Sequence, residues 1–350
     1  MPKELKGNTS IYLIIDYTLQ SKYGNKFDCY GKLFDHTAKN GTSYLNGHCF
    51  VCLALAIPVI FKGNIHYIKI PVHYKLYDSL KSKMELAADM VTGVAPILQD
   101  YQVIVLCDSW YTKTSFIKPI KKLKNVDIIG AVRKDTAIYD LKPEPTGKRG
   151  RPKTKGDKLD YRKFSYKQEN DYFIAHKKVI TNLHDEPVFI TVTTTDINKF
   201  SSVRIYLSTI CPKKINSFDN MPSNQNSSND KSESKTVFNI YKMRWNIEVI
   251  FYQTKTFWSF GNYMVRHKEA IEKYANLIGV AYSLTVLLPF MSRKFSKLKF
   301  QSPQETKYYI SDCISKELIY GKLLKTIQLD KNITTLEDVI NHLNNDSLAS

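Results

Sequence analysis

Tyr241, Arg244, Glu248 and Lys255 stand at relative positions 0, 3, 7 and 14. At 3.6 residues per turn, a helix through that segment lines the four side chains along one narrow stripe. An acid flanked by two cations and a phenol suits a place where a metal ion is held beside a phosphodiester. Arg244 is suited to bidentate contact with phosphate oxygens. Lys255, two turns beyond Glu248, can reach a neighbouring nucleotide, and Tyr241 can donate a hydrogen bond to a phosphate near the cut. The ordinary alternative is a solvated stripe with Arg244 and Glu248 paired at i, i+4.

Two aspartates upstream could join Glu248. Each closes an apolar, β-rich run: residues 11–15 precede Asp16, and residues 103–107 precede Asp108. Divalent ions that activate water or a hydroxyl for attack on phosphate want hard carboxylate oxygens, and Mg²⁺ takes only one or two of them from the protein. Three acids shared between two ions roughly 3.5 to 4 Å apart would fit in-line phosphoryl displacement. Asp16, Asp108 and Glu248 are therefore read as a catalytic, metal-binding triad. Either aspartate taken alone would ordinarily be a turn or cap residue.

The elements that must position these acids can be read from periodicity. Strands are expected over residues 12–16, 47–56 and 64–73, an amphipathic helix over 79–98, a strand over 103–107, a helix over 114–123 and a strand over 126–132. The character changes between residues 132 and 238. A Pro, Gly and basic loop over 142–158 precedes short β-rich runs near 172–179, 188–195 and 204–210, and an Asn- and Ser-rich tract over 217–235 reads as a flexible tip. The expectation is a small antiparallel β insertion before the helix that carries Glu248. Residues 277–291 read as a buried core helix, too short at about 15 residues for a span of roughly 20. The chain from residue 301 onward reads as helical.

With these residues in place, the sequence resembles the DDE transposases of bacterial insertion sequences, in the group with the Y-x2-R-x3-E-x6-K signature, the insertion sequence 4 family. Tyr241, Arg244, Glu248 and Lys255 match that signature at every spacing. Ile14-Ile15-Asp16-Tyr17-Thr18 is similar to the family's first-strand motif, although members often carry a second Asp where this chain has Tyr17. Val105-Leu106-Cys107-Asp108-Ser109-Trp110-Tyr111 is similar to the strand-four motif. Gly150-Arg151-Pro152, followed by basic residues, also resembles a family sequence.

The resemblance implies an α/β fold: an RNase H-like core with a mixed five-stranded sheet flanked by helices, an inserted antiparallel β subdomain and a helical C-terminal tail. Three strands followed by alternating helix and strand is the order of that fold. The division it suggests is 10–132 for the first part of the core, 133–237 for the insertion, 238–293 for the core helices with the third acid, and 294–350 for the tail. It further implies two Mg²⁺ or Mn²⁺ ions, element ends and target DNA as partners, and a homodimer on paired ends. Arg266 and His267 are similar to the family's basic pair after the Glu helix and are DNA-contact candidates. Only fifteen residues precede Asp16, where members usually carry a helical end-recognition region, so that region is expected to be absent. A structure-specific nuclease on the same scaffold and a catalytically silent DNA-binding remnant are the rival readings.

Charge agrees with a polyanionic partner. Fifty-one Lys and Arg against 33 Asp and Glu give +18. In residues 148–155 five cations fall within eight residues. Arg149, Arg151 and Lys153 are assigned to phosphate contact there, since Pro and Gly keep the loop extended. The six cysteines are scattered and mostly embedded in apolar runs, as expected of reduced thiols. Cys49 and Cys52 have zinc-knuckle spacing but sit in a strand-like run, where residues three apart face opposite ways. No secretory leader is legible and no membrane partner is expected. The implied location is the bacterial cytoplasm, on the nucleoid when bound to DNA.

Overall fold

The computed structural model describes residues 10–24, 26–35, 43–144, 153–215 and 233–329, with 335, 337, 338 and 340. Arg149, Arg151, Gly150-Arg151-Pro152 and most of the Asn- and Ser-rich tract lie outside the described residues. In chain order the first half contains β1 (Ile11–Ser21), β2 (Gly31–Phe34), β3 (Tyr44–Phe61), β4 (Asn64–Leu76), α1 (Lys83–Val94), β5 (Val103–Cys107), α2 (Thr114–Ile120), β6 (Val126–Val132) and β7 (Ile138–Tyr139). Then follow β8 (Lys167–Glu169), β9 (Tyr172–Thr181), β10 (Val188–Thr194), β11 (Arg204–Ser208), α3 (Glu233–Lys242), α4 (Asn246–Phe257), α5 (Lys268–Met291) and α6 (Pro303–Leu329). The chain divides into two compact units, residues 1–284 and 285–350.

Strand alternation organises the first unit. Ile11, Leu13 and Ile15 of β1, Val51 and Leu53 of β3, and Val103, Val105 and Cys107 of β5 enter one cluster with the buried faces of α1 and α2. Each such side chain, when fully buried, stabilises the fold by about 1.5 to 3 kcal/mol. α1 begins with a reciprocal cap: the Ser82 hydroxyl accepts from the Glu85 N–H, and the Glu85 carboxylate accepts from the Ser82 N–H. Residues 79–82 therefore precede the helix that the sequence pattern extends back to 79.

The strand order β4-β3-β1-β5-β6 has antiparallel pairs β4/β3 and β3/β1 and parallel pairs β1/β5 and β5/β6. This mixed sheet with flanking helices fits an RNase H-like transposase core. β11, β10 and β9 then continue the same sheet from β6, all antiparallel. The β-rich segment thus extends the core sheet rather than folding back on itself, although Val179, Val188, Ile190, Val192 and Leu207 form a second core cluster there. The pairing of Ile205 with Val132 and of Ser208 with Ile129 supplies the reason: β6 would otherwise leave its ladder open. β2, β7 and β8 are strands that the sequence pattern did not indicate.

α5 corrects another expectation. Ile271, Ala275 and Tyr282 are buried, yet Leu277 and Leu284 are 65% and 60% exposed. The 24-residue helix is long and apolar enough, by length and composition alone, to cross a membrane. Its buried face packs as in a core helix, because it covers the edge strand β4. Asn276 accepts from the Tyr74 N–H at 2.9 Å and donates to the Tyr74 carbonyl at 2.8 Å, and Glu272 accepts from the Leu76 N–H at 3.1 Å. Side chains of a helix thus satisfy main-chain groups of β4 that no described strand pairs. In the second unit, Phe290 packs edge-on against Phe300 with ring centroids 5.1 Å apart, and Lys294 pairs with Glu317 at 2.6 Å.

Candidate active site

Because the odd-numbered residues of β1 and β5 enter the α1 and α2 core, Asp16 and Asp108 belong to the opposite face. The strands are parallel neighbours with Ile14 opposite Leu106, so continuing the register by two residues brings Asp16 level with Asp108. Asp16 is not at a strand end as the sequence pattern suggested, since β1 runs on to Ser21, where the pairing with β3 ends. Asp108 directly follows β5, and its carboxylate accepts from the Trp110 and Tyr111 N–H groups at 2.9 and 3.2 Å. That turn-capping role leaves the acid facing the same space. α4 brings in Glu248 in its first turn, and all three acids line one cavity of about 960 Å³.

Arg244 ties two of the acids together. Its Nη1 lies 2.7 Å from Asp16 Oδ2 and its Nη2 lies 2.6 Å from Glu248 Oε1. The Asp16 and Arg244 side chains are only 13% and 16% exposed. Burial, and then the negative charge of Asp108, push the Asp16 carboxyl up to about 7 although Arg244 pulls the other way. Burial also works against the Arg244 charge, but Asp16, Tyr241 and Glu248 together hold it firmly protonated.

The four-residue stripe is assembled differently from the single helix expected. α3 ends at Lys242, a 3-10 turn covers Met243–Trp245, and α4 starts at Asn246. The backbone stays right-handed through the junction, with Lys242 at φ −56°, ψ −28° and Asn246 at φ −64°, ψ −24°. Tightening to three residues per turn turns Arg244 relative to the straight-helix path. Lys255 lines the cavity and donates to the Leu19 carbonyl at 2.6 Å, while burial lowers its pKa. Tyr241 packs behind, its ring 4.6 Å from that of Tyr206, and is not among the residues lining the cavity.

The family model described as the transposase DDE domain matches residues 65–284, well over half of the chain. The chain belongs to the transposase DDE domain family. No curated protein matches it. The match includes Asp108 and the whole segment from Tyr241 to Lys255, whereas Asp16 lies ahead of it. Membership makes this a transposase domain of a DNA-cleaving enzyme class, with DNA as its partner, and DDE transposases generally use divalent metals.

Around the transposase cavity stand residues that the sequence pattern did not single out. Lys113 and Arg133 line it, as do Tyr17, Trp110 and Asp35. Lys113 and Trp110 lie within five residues of Asp108 and could have been suspected from that. Arg133 follows β6, the parallel neighbour of β5, so it shares the carboxyl end where α/β sheets place their sites. Asp35 carried no signal. Lys83, at the start of α1, rests 3.8 Å from the centre of the Tyr17 ring.

The loop after α4 closes one side of the cavity. Ser259 takes a left-handed φ of 57°, and the Phe260 N–H reaches back to the Thr254 carbonyl at 3.1 Å, ending the helix. Gly261, which lines the cavity, then runs so close to β1 that a Cβ would collide with the Gln20 side chain. Arg266 and His267 lie farther along this loop, exposed and away from the cavity lining, with His267 Nδ1 3.7 Å from Asp28 Oδ2. Lys153 is exposed and also outside the lining.

In kind, the donor set suits a hard divalent ion: Asp16, Asp108 and Glu248 offer carboxylate oxygens only. As the side chains stand, among the described residues no three acid, imidazole or thiol groups are gathered tightly enough to hold one ion.

Proposed function

We propose that the chain is a DDE transposase of the insertion sequence 4 type, cutting and joining DNA strands of an insertion element by metal-dependent in-line phosphoryl transfer. The observation that carries this reading is the convergence of three acids, more than ninety residues apart in sequence at each step, on one cavity that also receives Lys113, Arg133 and Lys255. Asp16, Asp108 and Glu248 would hold two Mg²⁺ or Mn²⁺ ions. Such ions, when bound, lower the pKa of an attacking hydroxyl and stabilise charge on the leaving oxygen.

The protein's own groups do the positioning. Lys113, Arg133 and Lys255 neutralise the phosphate backbone and fix it against the acids. Arg244 supplies a planar cation for phosphate oxygens. Tyr241, packed on Tyr206 outside the cavity lining, is assigned a hydrogen bond to a phosphate near the cut. Arg149, Arg151, Lys153, Arg266 and His267 are assigned to DNA beyond the cavity, and a homodimer on paired element ends is the assembly that suits strand transfer.

Incubating the protein with DNA bearing the element's ends in Mg²⁺ tests the reading. Wild type should nick and transfer strands, and EDTA should abolish both. Glu248→Gln and Asp108→Asn should each lose at least about a hundred-fold in cleavage rate while retaining fold and DNA binding. Equal cleavage by wild type and Glu248→Gln would overturn the assignment.

A further inference from the structure

Arg244 spans Asp16 and Glu248 with one nitrogen on each carboxylate, at 2.7 and 2.6 Å. It is the cation at the heart of the acid cluster, and its side chain is 16% exposed. Two of the three carboxylates proposed to hold metal are therefore already engaged by a protein guanidinium. Those two bonds occupy carboxylate oxygens that a divalent ion would otherwise take.

We infer that Arg244 is a resting counter-cation that competes with divalent ions for Asp16 and Glu248, so that loading the site releases its guanidinium toward the DNA phosphate. The inference rests on the proposed function and adds an order to it: the acids cannot serve metal and Arg244 with the same oxygens at once. The charge ledger favours such an exchange. Without Arg244, Asp16, Asp108 and Glu248 would face one cavity with Lys113, Arg133 and Lys255 at its walls. With it, the buried Asp16 has a charged partner at hydrogen-bond distance, and a buried acid without one is costly.

The position of Arg244 makes the exchange feasible. It sits on the 3-10 turn between α3 and α4. Glu248 is one turn further along and 36% exposed. Freeing Arg244 means breaking two bonds between side chains, neither of which belongs to the backbone of α3 or α4. The i, i+4 pairing that reads as an ordinary helix-surface contact is thus extended by a third partner, Asp16, which belongs to a different element.

Mn²⁺ binding to the full chain without DNA, followed by electron paramagnetic resonance or calorimetry, tests the exchange. If an occupied site is closed to metal, apparent affinity falls by the fraction of molecules in the open form. Arg244→Ala should therefore bind Mn²⁺ about ten-fold more tightly than wild type, as expected for roughly one molecule in ten open. It should also melt lower than wild type without metal and gain more in Tm on adding Mn²⁺. Arg244→Gln, neutral but able to keep a hydrogen bond, provides a second variant if Arg244→Ala does not fold. In wild type, ¹⁵N spectra should show the slowly exchanging Arg244 side-chain signals lost on adding Mg²⁺. Unchanged Mn²⁺ affinity in a folded Arg244 variant, or Arg244 signals unaffected at saturating Mg²⁺, would overturn the inference. Failure of the transposase reading registers separately, as cleavage by Glu248→Gln equal to that of wild type.

Discussion

Asp16 is the residue on which charge, burial and register meet. Its carboxyl titrates at about 7 in the folded protein against 3.8 for the unperturbed group. Between those values the folded state binds more protons than the unfolded one, so stability falls as pH rises from about 4 to about 7 and levels off above. The sign is that of a raised acid: the penalty is absent when Asp16 is protonated in both states and complete once it is ionised in both. Asp16→Asn removes the penalty. In metal-free buffer the variant should melt above wild type at pH 8, with the gap closing as pH is lowered toward 4, as scanning calorimetry at a series of pH values would show. A wild type that is the more stable protein at pH 8 would contradict the charge balance described for this cavity. Divalent ions should reverse the ranking, since only the carboxylate gains from them.

Among elements, the contact between α5 and β4 has no counterpart in sequence periodicity. β4 is an edge strand, and edges expose unpaired N–H and C=O groups. Asn276 meets both main-chain groups of Tyr74, a residue that is fully buried, and Glu272 meets Leu76 and also pairs with Lys75 at 2.8 Å. Asn276→Ala should cost about 2 kcal/mol, the usual penalty for stranding a buried main-chain donor. Urea unfolding followed by circular dichroism would show the loss as a lower midpoint at unchanged slope, and a change under about 0.5 kcal/mol would mean that water replaces the amide. The strands were legible wherever apolar runs were bounded by turn residues: residues 103–107 and 126–132 coincide with β5 and β6. Where elements depart from the reading, local chemistry explains it. Ser82 and Glu85 cap α1 later than its apolar pattern begins, and β1 outlasts its apolar run because β3 pairs with it as far as Ser21.

For the molecule as a whole, the excess of 18 positive charges sets how DNA is held. Each phosphate neutralised by Lys or Arg adds about −0.9 to the slope of log affinity against log salt on duplex DNA. Six such contacts would weaken binding roughly a thousand-fold between 50 and 200 mM salt. Titrating labelled duplex across that range should give a steep linear slope, and Arg133→Ala should reduce it by about one without altering preference among sequences. A flat salt response would mean that the charge serves something other than a phosphate backbone. The exposed apolar residues of α5, Leu277, Val280 and Leu284, belong to this scale too, since no periodicity rule says which side of an apolar helix faces the protein.

The amino-acid order alone determined which residues could do the chemistry, because acids, cations and their spacings are written locally, and it determined most strands, because a period of two is local as well. It could not decide that the Tyr241 ring would pack on Tyr206 outside the cavity lining, or that Arg244 would bridge Asp16 and Glu248. Those depend on the parallel register of β1 with β5 and on the tightened turn before α4. Lys113, Arg133 and Asp35 reached the cavity by the same route. Side chains that meet across a sheet do so through long-range pairing, and no short window of sequence contains both partners.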